Sequence, residues 1–351
     1  MIAFFLFALG TIIGSFLNVC IWRAPRGESV TEPPSHCPKC DTRLKPLDLI
    51  PVVSQVMLRA RCRYCGAKIS WRYAGIEVLT GVLFALAGIN SDGFQGAWWN
   101  GTFSGEAAHW IQLVQWLLAI SCLLVIFWVD YDTLYIPMSA ALLLGLAGVG
   151  SEALRVLVLG QAMTPPQIFA VDFLPAPLPH SIVAMMVTAA FIWTVRFLGS
   201  LVTQKFLGTE AMGFGDVFLA AGIAANLGWN ATILTFLFLS PTVGTFAGLA
   251  MRVPQGAKSW MWAKRRLAKQ QLSKQQLSKR ARATSSTRSA QSAALPRALF
   301  CRALRRPIPF GPMLAMGALL AMIYGEQINK AYMQWANPDI YAKIVVIKSV
   351  E

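Results

Sequence analysis

Apolar and polar residues along this chain come in long blocks, without the fine alternation of strands or the single stripe of a surface helix. Apolar blocks cover 1–22, 75–90, 110–129, 136–158, 181–201, 209–228, 231–251 and 308–327. A helix needs about 20 apolar residues to cross a bilayer's hydrocarbon core. The pattern therefore predicts an all-α polytopic membrane protein with eight transmembrane helices. One block is broken where a helix should begin: Gly213-Phe214-Gly215-Asp216 opens the 209–228 span. Bare backbone and a carboxylate are tolerated at that depth only inside protein or beside water. Asp216 is thus a functional candidate, against the plainer reading of a helix N-cap.

Charge orients the blocks. Of 31 Lys and Arg residues, ten lie in 23–74 and fifteen in 252–307, while 91–109 and 159–180 have none. The positive-inside rule assigns both basic segments to the cytoplasm and leaves the N-terminus outside. No basic residue precedes Arg23, so the first helix is expected to be retained rather than cleaved as a signal peptide. The division that follows is a first transmembrane helix at 1–22, a cytoplasmic loop domain at 23–74 and a membrane core at 75–251. A basic loop at 252–307, a last helix at 308–327 and a tail at 328–351 complete it. The basic loop contains no acidic residue and repeats Lys-Gln-Gln-Leu-Ser from Lys269 and from Lys274. Basic loops between spans point to a lipid surface, and no nucleic-acid partner is expected.

Four of the seven cysteines lie in the first polar segment, as Cys37-Pro-Lys-Cys40 and Cys62-Arg-Tyr-Cys65, with 21 residues between the pairs. Each pair forms a knuckle, and two knuckles supply four soft ligands for a tetrahedral Zn²⁺. Four protein ligands leave no open position, which predicts a structural metal. A charged loop this short has little core of its own, so the metal supplies folding energy.

The three histidines are His36, His109 and His180. His36 adjoins the first knuckle as a bystander, and the others fall in segments assigned outside. A serine or cysteine hydrolase built on histidine is therefore hard to assemble. Two carboxylates remain. The third span ends in Asp130-Tyr131-Asp132, and Asp216 lies 86 residues after Asp130, at the start of a span on the same predicted membrane face. Such a pair supports an aspartyl mechanism, in which one carboxylate takes a proton from water and the other polarises the scissile carbonyl. Asp216 opens a helix and Asp130 closes one. The macrodipole then favours the ionised role for Asp216 and the protonated role for Asp130.

From residue 10 to about 325 the chain resembles the type IV prepilin leader peptidases, membrane enzymes of the Gly-x-Gly-Asp aspartyl protease class. The resemblance is carried by Gly14-Ser15-Phe16-Leu17-Asn18-Val19, both Cys knuckles, Ile50-Pro51 and Arg61-Cys62-Arg63. It continues in Ile69-Ser70 with Arg72-Tyr73, in Glu77-Val78-Leu79-Thr80-Gly81, and in Asp130 seven residues before Pro137. Gly213-Phe214-Gly215-Asp216 and Pro309-Phe310-Gly311-Pro312 complete it. It implies cleavage of the basic leader of prepilins or pseudopilins at the cytoplasmic face of the bacterial inner membrane. It also implies N-methylation of the new N-terminus with S-adenosylmethionine. The family's catalytic aspartates fall on Asp130 and Asp216, with Asp132 the local competitor, and its zinc ligands on Cys37, Cys40, Cys62 and Cys65. This chain departs from the family at Met138, Phe218, Ala74 and Pro46-Leu47-Asp48-Leu49. The competing expectation is a catalytically silent zinc-binding assembly factor of a pilus or secretion system.

Overall fold

The computed structural model describes residues 2–90, 107–160, 180–207, 212–229, 232–244, 246 and 310–336. The basic loop 252–307 and most of 91–109, 159–180 and 328–351 lie outside the described residues. Eight helices occupy the eight predicted blocks: α1 Ile2–Arg23, α2 Arg72–Asn90, α3 Ala107–Thr133 and α4 Met138–Leu159. They continue with α5 His180–Leu207, α6 Phe214–Leu227, α7 Thr232–Gly244 and α8 Gly311–Ala336. Among the described residues there is no strand, only two isolated bridges in the cysteine loop.

Contacts divide the chain into Met1–Pro241 with Phe310–Glu351, and Thr242–Pro309. The second unit is described only at 242–244 and 246, the end of α7 and a residue just beyond it.

Five helices, α1 to α5, are long and apolar enough to cross a membrane. Many of their large side chains face outward, with Phe4, Phe5, Leu142, Leu157 and Met186 exposed. A soluble bundle would turn such residues inward, whereas lipid tails accept them. The other three depart from the predicted spans. α6 has only 14 residues, about 21 Å at 1.5 Å per residue, short of a bilayer core of about 30 Å. Its ends explain the difference from the predicted 209–228. Gly213 is extended at φ −68°, ψ 154°, and Gly228 ends the helix at φ 69°, ψ 175°, a backbone only glycine takes readily. The residues between are nearly all buried, from Asp216 to Leu227. α6 is therefore an inner helix surrounded by the others. α8 runs 26 residues, but its second half is polar and carries a Glu326–Lys330 ion pair.

Small residues bring the backbones together. A Cβ at Gly10 would lie 2.7 Å from Gly81 Cα, and one at Gly14 would lie 2.8 Å from Glu77 Cα. Only glycine allows α1 and α2 this approach, and tight packing replaces the absent hydrophobic drive within a bilayer. Around α6 the core gathers Leu123, Ile126, Leu144, Leu219, Ile223, Phe236 and Leu314. Asn226 anchors α6 by donating to the carbonyls of Leu144 and Gly222.

Candidate active site and metal centre

Asp130 lies one turn before the end of α3. Leu134 closes that helix with φ 57°, and its amide donates to the Asp130 carbonyl at 2.9 Å. The chain then runs through Ile136 to Pro137, the N-cap of α4. This turn packs on the start of α6: a Cβ on Gly215 would sit 3.1 Å from Ile136 Cβ. The second glycine of the motif therefore serves a close approach between helices.

Asp216 is the third residue of α6, so it is not the N-cap. Its Oδ2 accepts the Gly213 amide at 3.1 Å, the back-reaching half of a capping box. Asp130 Oδ2 accepts the amide of Gly311, the first residue of α8, at 2.9 Å. Each aspartate is only 5% exposed. The asymmetry expected from helix ends is reduced. Asp130 closes α3, but it also faces the positive N-terminus of α8.

Asp132, the local competitor, is engaged elsewhere. It accepts a bidentate pair from Arg72, at 3.0 Å from Nη1 and 2.6 Å from Nη2. The same guanidinium lies 4.4 Å from the Trp128 ring centroid. Sequence reasoning missed Arg72 in this role, and Arg196 as well. Arg196 Nε, on α5, donates to the Met212 carbonyl at 3.1 Å, and its guanidinium lies over the Phe214 ring. It ties down the strand of chain that leads into Asp216. A basic residue inside an apolar block was the available signal. Gly311 was visible as part of a motif, but its amide's partner was not.

The two cysteine knuckles are near copies of each other. Cys37 N donates to Thr42 O as Cys62 N does to Ala67 O, and Asp41 N donates to Cys37 O as Gly66 N does to Cys62 O. Asp41 at φ 56° and Gly66 at φ 69° occupy the same left-handed position. All four Sγ atoms lie within 4.8 Å of one another, and Cys37 and Cys65 are 3.9 Å apart. Tetrahedral zinc with bonds of about 2.3 Å needs sulfurs about 3.8 Å apart. The set therefore fits one ion.

Thr42 holds the Cys40 thiol down to about 6, and the amides of Cys65 and Tyr64 hold Cys62 down. Cys65 gains from the Ala67 amide, but burial and its thiol neighbours push it up to about 11. A metal takes its sulfur ligands as thiolates, so an ion and protons would compete for the set.

Asp48, between the knuckles in sequence, is tied to the second, accepting Arg63 Nε at 2.6 Å and Tyr64 OH at 2.8 Å, and it also accepts Lys45 N at 3.1 Å. Burial raises its carboxyl, and the three donors outweigh this and hold it below the usual range. Ala74, where the family has proline, donates its amide to Gln55 Oε1 at 2.9 Å, a bond proline cannot make. His36 stands outside the cluster, 3.6 Å from Asp41.

Residues 8–91 match the bacterial peptidase A24 N-terminal domain, and residues 117–249 match the type IV leader peptidase family. A prepilin leader peptidase/N-methyltransferase from Neisseria gonorrhoeae is 32% identical, over 71% of this chain and 82% of that protein. The chain belongs to the type IV leader peptidase family. A like-named relative from Stutzerimonas stutzeri is 29% identical, over 93% of this chain and 92% of its own length. One from Myxococcus xanthus is 34% identical over 72% of this chain, and the match spans 64% of its length, less than two thirds. No solved structure matches the chain. Both domain matches fall on the features described: the first spans the tetracysteine loop and the second both buried aspartates.

Proposed function

We propose that the chain is a prepilin leader peptidase that also N-methylates its product. It cleaves the basic leader of type IV prepilins or pseudopilins at the cytoplasmic face of a bacterial inner membrane. The observation that carries this is the pair of buried carboxylates, Asp130 and Asp216, at adjoining helix ends, each held by one backbone amide. Two close carboxylates cannot both ionise cheaply, so the pair shares a proton. The ionised member takes a proton from water as the water attacks the scissile carbonyl. The protonated member hydrogen-bonds that carbonyl oxygen and then protonates the leaving amine. The N–H groups of Gly213 and Gly311 hold both carboxylates in place through the cycle. Zn²⁺ on Cys37, Cys40, Cys62 and Cys65 is structural in this scheme. S-adenosylmethionine, when bound, supplies an electrophilic methyl group for the new N-terminal amine.

The test is cleavage of a prepilin by wild type and by Asp130→Asn, Asp216→Asn and Asp132→Asn. The first two variants are expected to lose about 10²–10⁴-fold in rate, and the third to keep most of it. Equal processing by all four proteins would remove the enzyme and leave an assembly factor.

A further inference from the structure

A cavity of about 650 Å³ opens between the tetracysteine loop and the adjoining ends of α1 and α2. That size suits a small-molecule site. Its walls include Asn18 and Trp22 from α1, Tyr73 and Glu77 from α2, and Gln55 from the loop. Most of these polar groups brace the walls. Asn18 donates to the Tyr73 carbonyl, and Gln55 spans Ser70 O and Ala74 N.

Glu77 differs from them. The residue is 7% exposed, and its Oε2 accepts the Val52 amide at 2.7 Å. Among the described residues no Lys, Arg or His lies within ion-pair reach of it. A carboxylate accepts about four hydrogen bonds, so capacity remains. A buried charge with no counter-charge is costly, and a cationic ligand would relieve that cost.

From this we infer that the cavity binds S-adenosylmethionine, with Glu77 facing its sulfonium charge and the rings of Trp22 and Tyr73 offering faces to its adenine. The inference rests on the methyltransferase half of the function proposed above. The place in the fold agrees with it. Arg72, next to Tyr73, grips Asp132, two residues beyond Asp130. The cavity thus adjoins the end of the bundle where cleavage would release a new N-terminal amine.

Titration calorimetry on the full chain in lipid nanodiscs tests this, with S-adenosylmethionine and S-adenosylhomocysteine as ligands. The second lacks the sulfonium charge. Wild type is expected to bind both and to prefer the first. Glu77→Gln should lose that preference by about tenfold or more, while Tyr73→Ala weakens both ligands alike. Zinc content and the thermal midpoint report whether each variant is folded. Ultraviolet crosslinking of labelled donor to wild type needs no variant, and should mark peptides holding 15–22 or 72–77. Label confined to other helices, or an undiminished preference in Glu77→Gln, overturns the site, as does crosslinking of a prepilin leader there in place of the donor. Leader cleavage is scored on the same wild-type sample. Cleavage without donor binding sinks the inference alone. Donor binding without cleavage removes the protease and leaves the site standing.

Discussion

At the scale of single residues, the choice between Asp130 and Asp132 is one of surroundings. Asp130 is buried against one backbone amide beside a second buried carboxylate. The Asp132 side chain is 37% exposed and tied up by Arg72. An exposed ion pair contributes about 0–1 kcal/mol, and a cation–π contact such as the one to Trp128 adds about 0.5–1 kcal/mol. Arg72→Ala should therefore cost about 1 kcal/mol in stability, and Arg72→Ala with Asp132→Asn no more than the worse single variant, because both remove one interaction. A denaturant series on the four proteins checks this. Fully additive losses would mean that each residue does something beyond pairing with the other.

At the scale of elements, the site is made where three helix ends meet: the end of α3 and the starts of α6 and α8. Gly311 is the contact that brings in α8. A Cβ there would lie 2.7 Å from Asp130 Oδ2 and 3.1 Å from its Cγ, so the carboxylate would have to move. Displacement by about 1 Å costs about 10²-fold in rate. Alanine, however, is a better helix former than glycine. Gly311→Ala is expected to cut kcat for leader cleavage by about that factor while leaving helix content and thermal midpoint unchanged. Unchanged kcat would mean that moving the Asp130 carboxylate away from this Cβ does not matter to cleavage.

Much of this was legible in the sequence. Among the described residues, apolar blocks announced α1 to α8, because the 3.6-residue geometry and the bilayer set one length scale. Asp216 stood out because glycines and a carboxylate interrupt such a block, and the four cysteines because metal geometry imposes their spacing. What stayed hidden depends on distant partners: Gly311 with Asp130, Arg72 with Asp132, Arg196 with Met212. The true length of α6 was hidden too. Hydropathy measures apolarity and does not distinguish a helix facing lipid from one walled in by other helices.

At the scale of the whole molecule, two structures with different sources of stability share one chain. The helices hold one another by tight packing of small residues. The loop from 24 to 71 has two small knuckles, a one-turn helix at Val53–Met57 and few buried apolar side chains, Ala60 among them. Its order is then expected to depend on an ion that the four sulfurs could hold and on the bonds Asp48 accepts from Arg63 and Tyr64. The two parts meet where the Val52 amide donates to Glu77, where the Ala74 amide donates to Gln55, and where Arg23 donates to the carbonyls of Ser29 and Pro33. Chelation should therefore loosen the loop and spare the bundle. After zinc removal, limited proteolysis is expected to cut within 24–71 while circular dichroism keeps the helical signal. Cys37→Ser and Cys62→Ser should behave as the chelated wild type does. Acid should act in the same direction. The Cys40 thiol is held down to about 6, below the ordinary thiol value of about 8.5. Its thiolate favours the folded knuckle fully above that ordinary value. The contribution falls away as pH drops through about 6, where protons also compete with the metal. Zinc retention measured from pH 8 to pH 5 should fall across that window, and proteolysis of the loop should rise with it. A loop that resists protease after its metal has been stripped would mean that Asp48 and the helix contacts suffice to fold it.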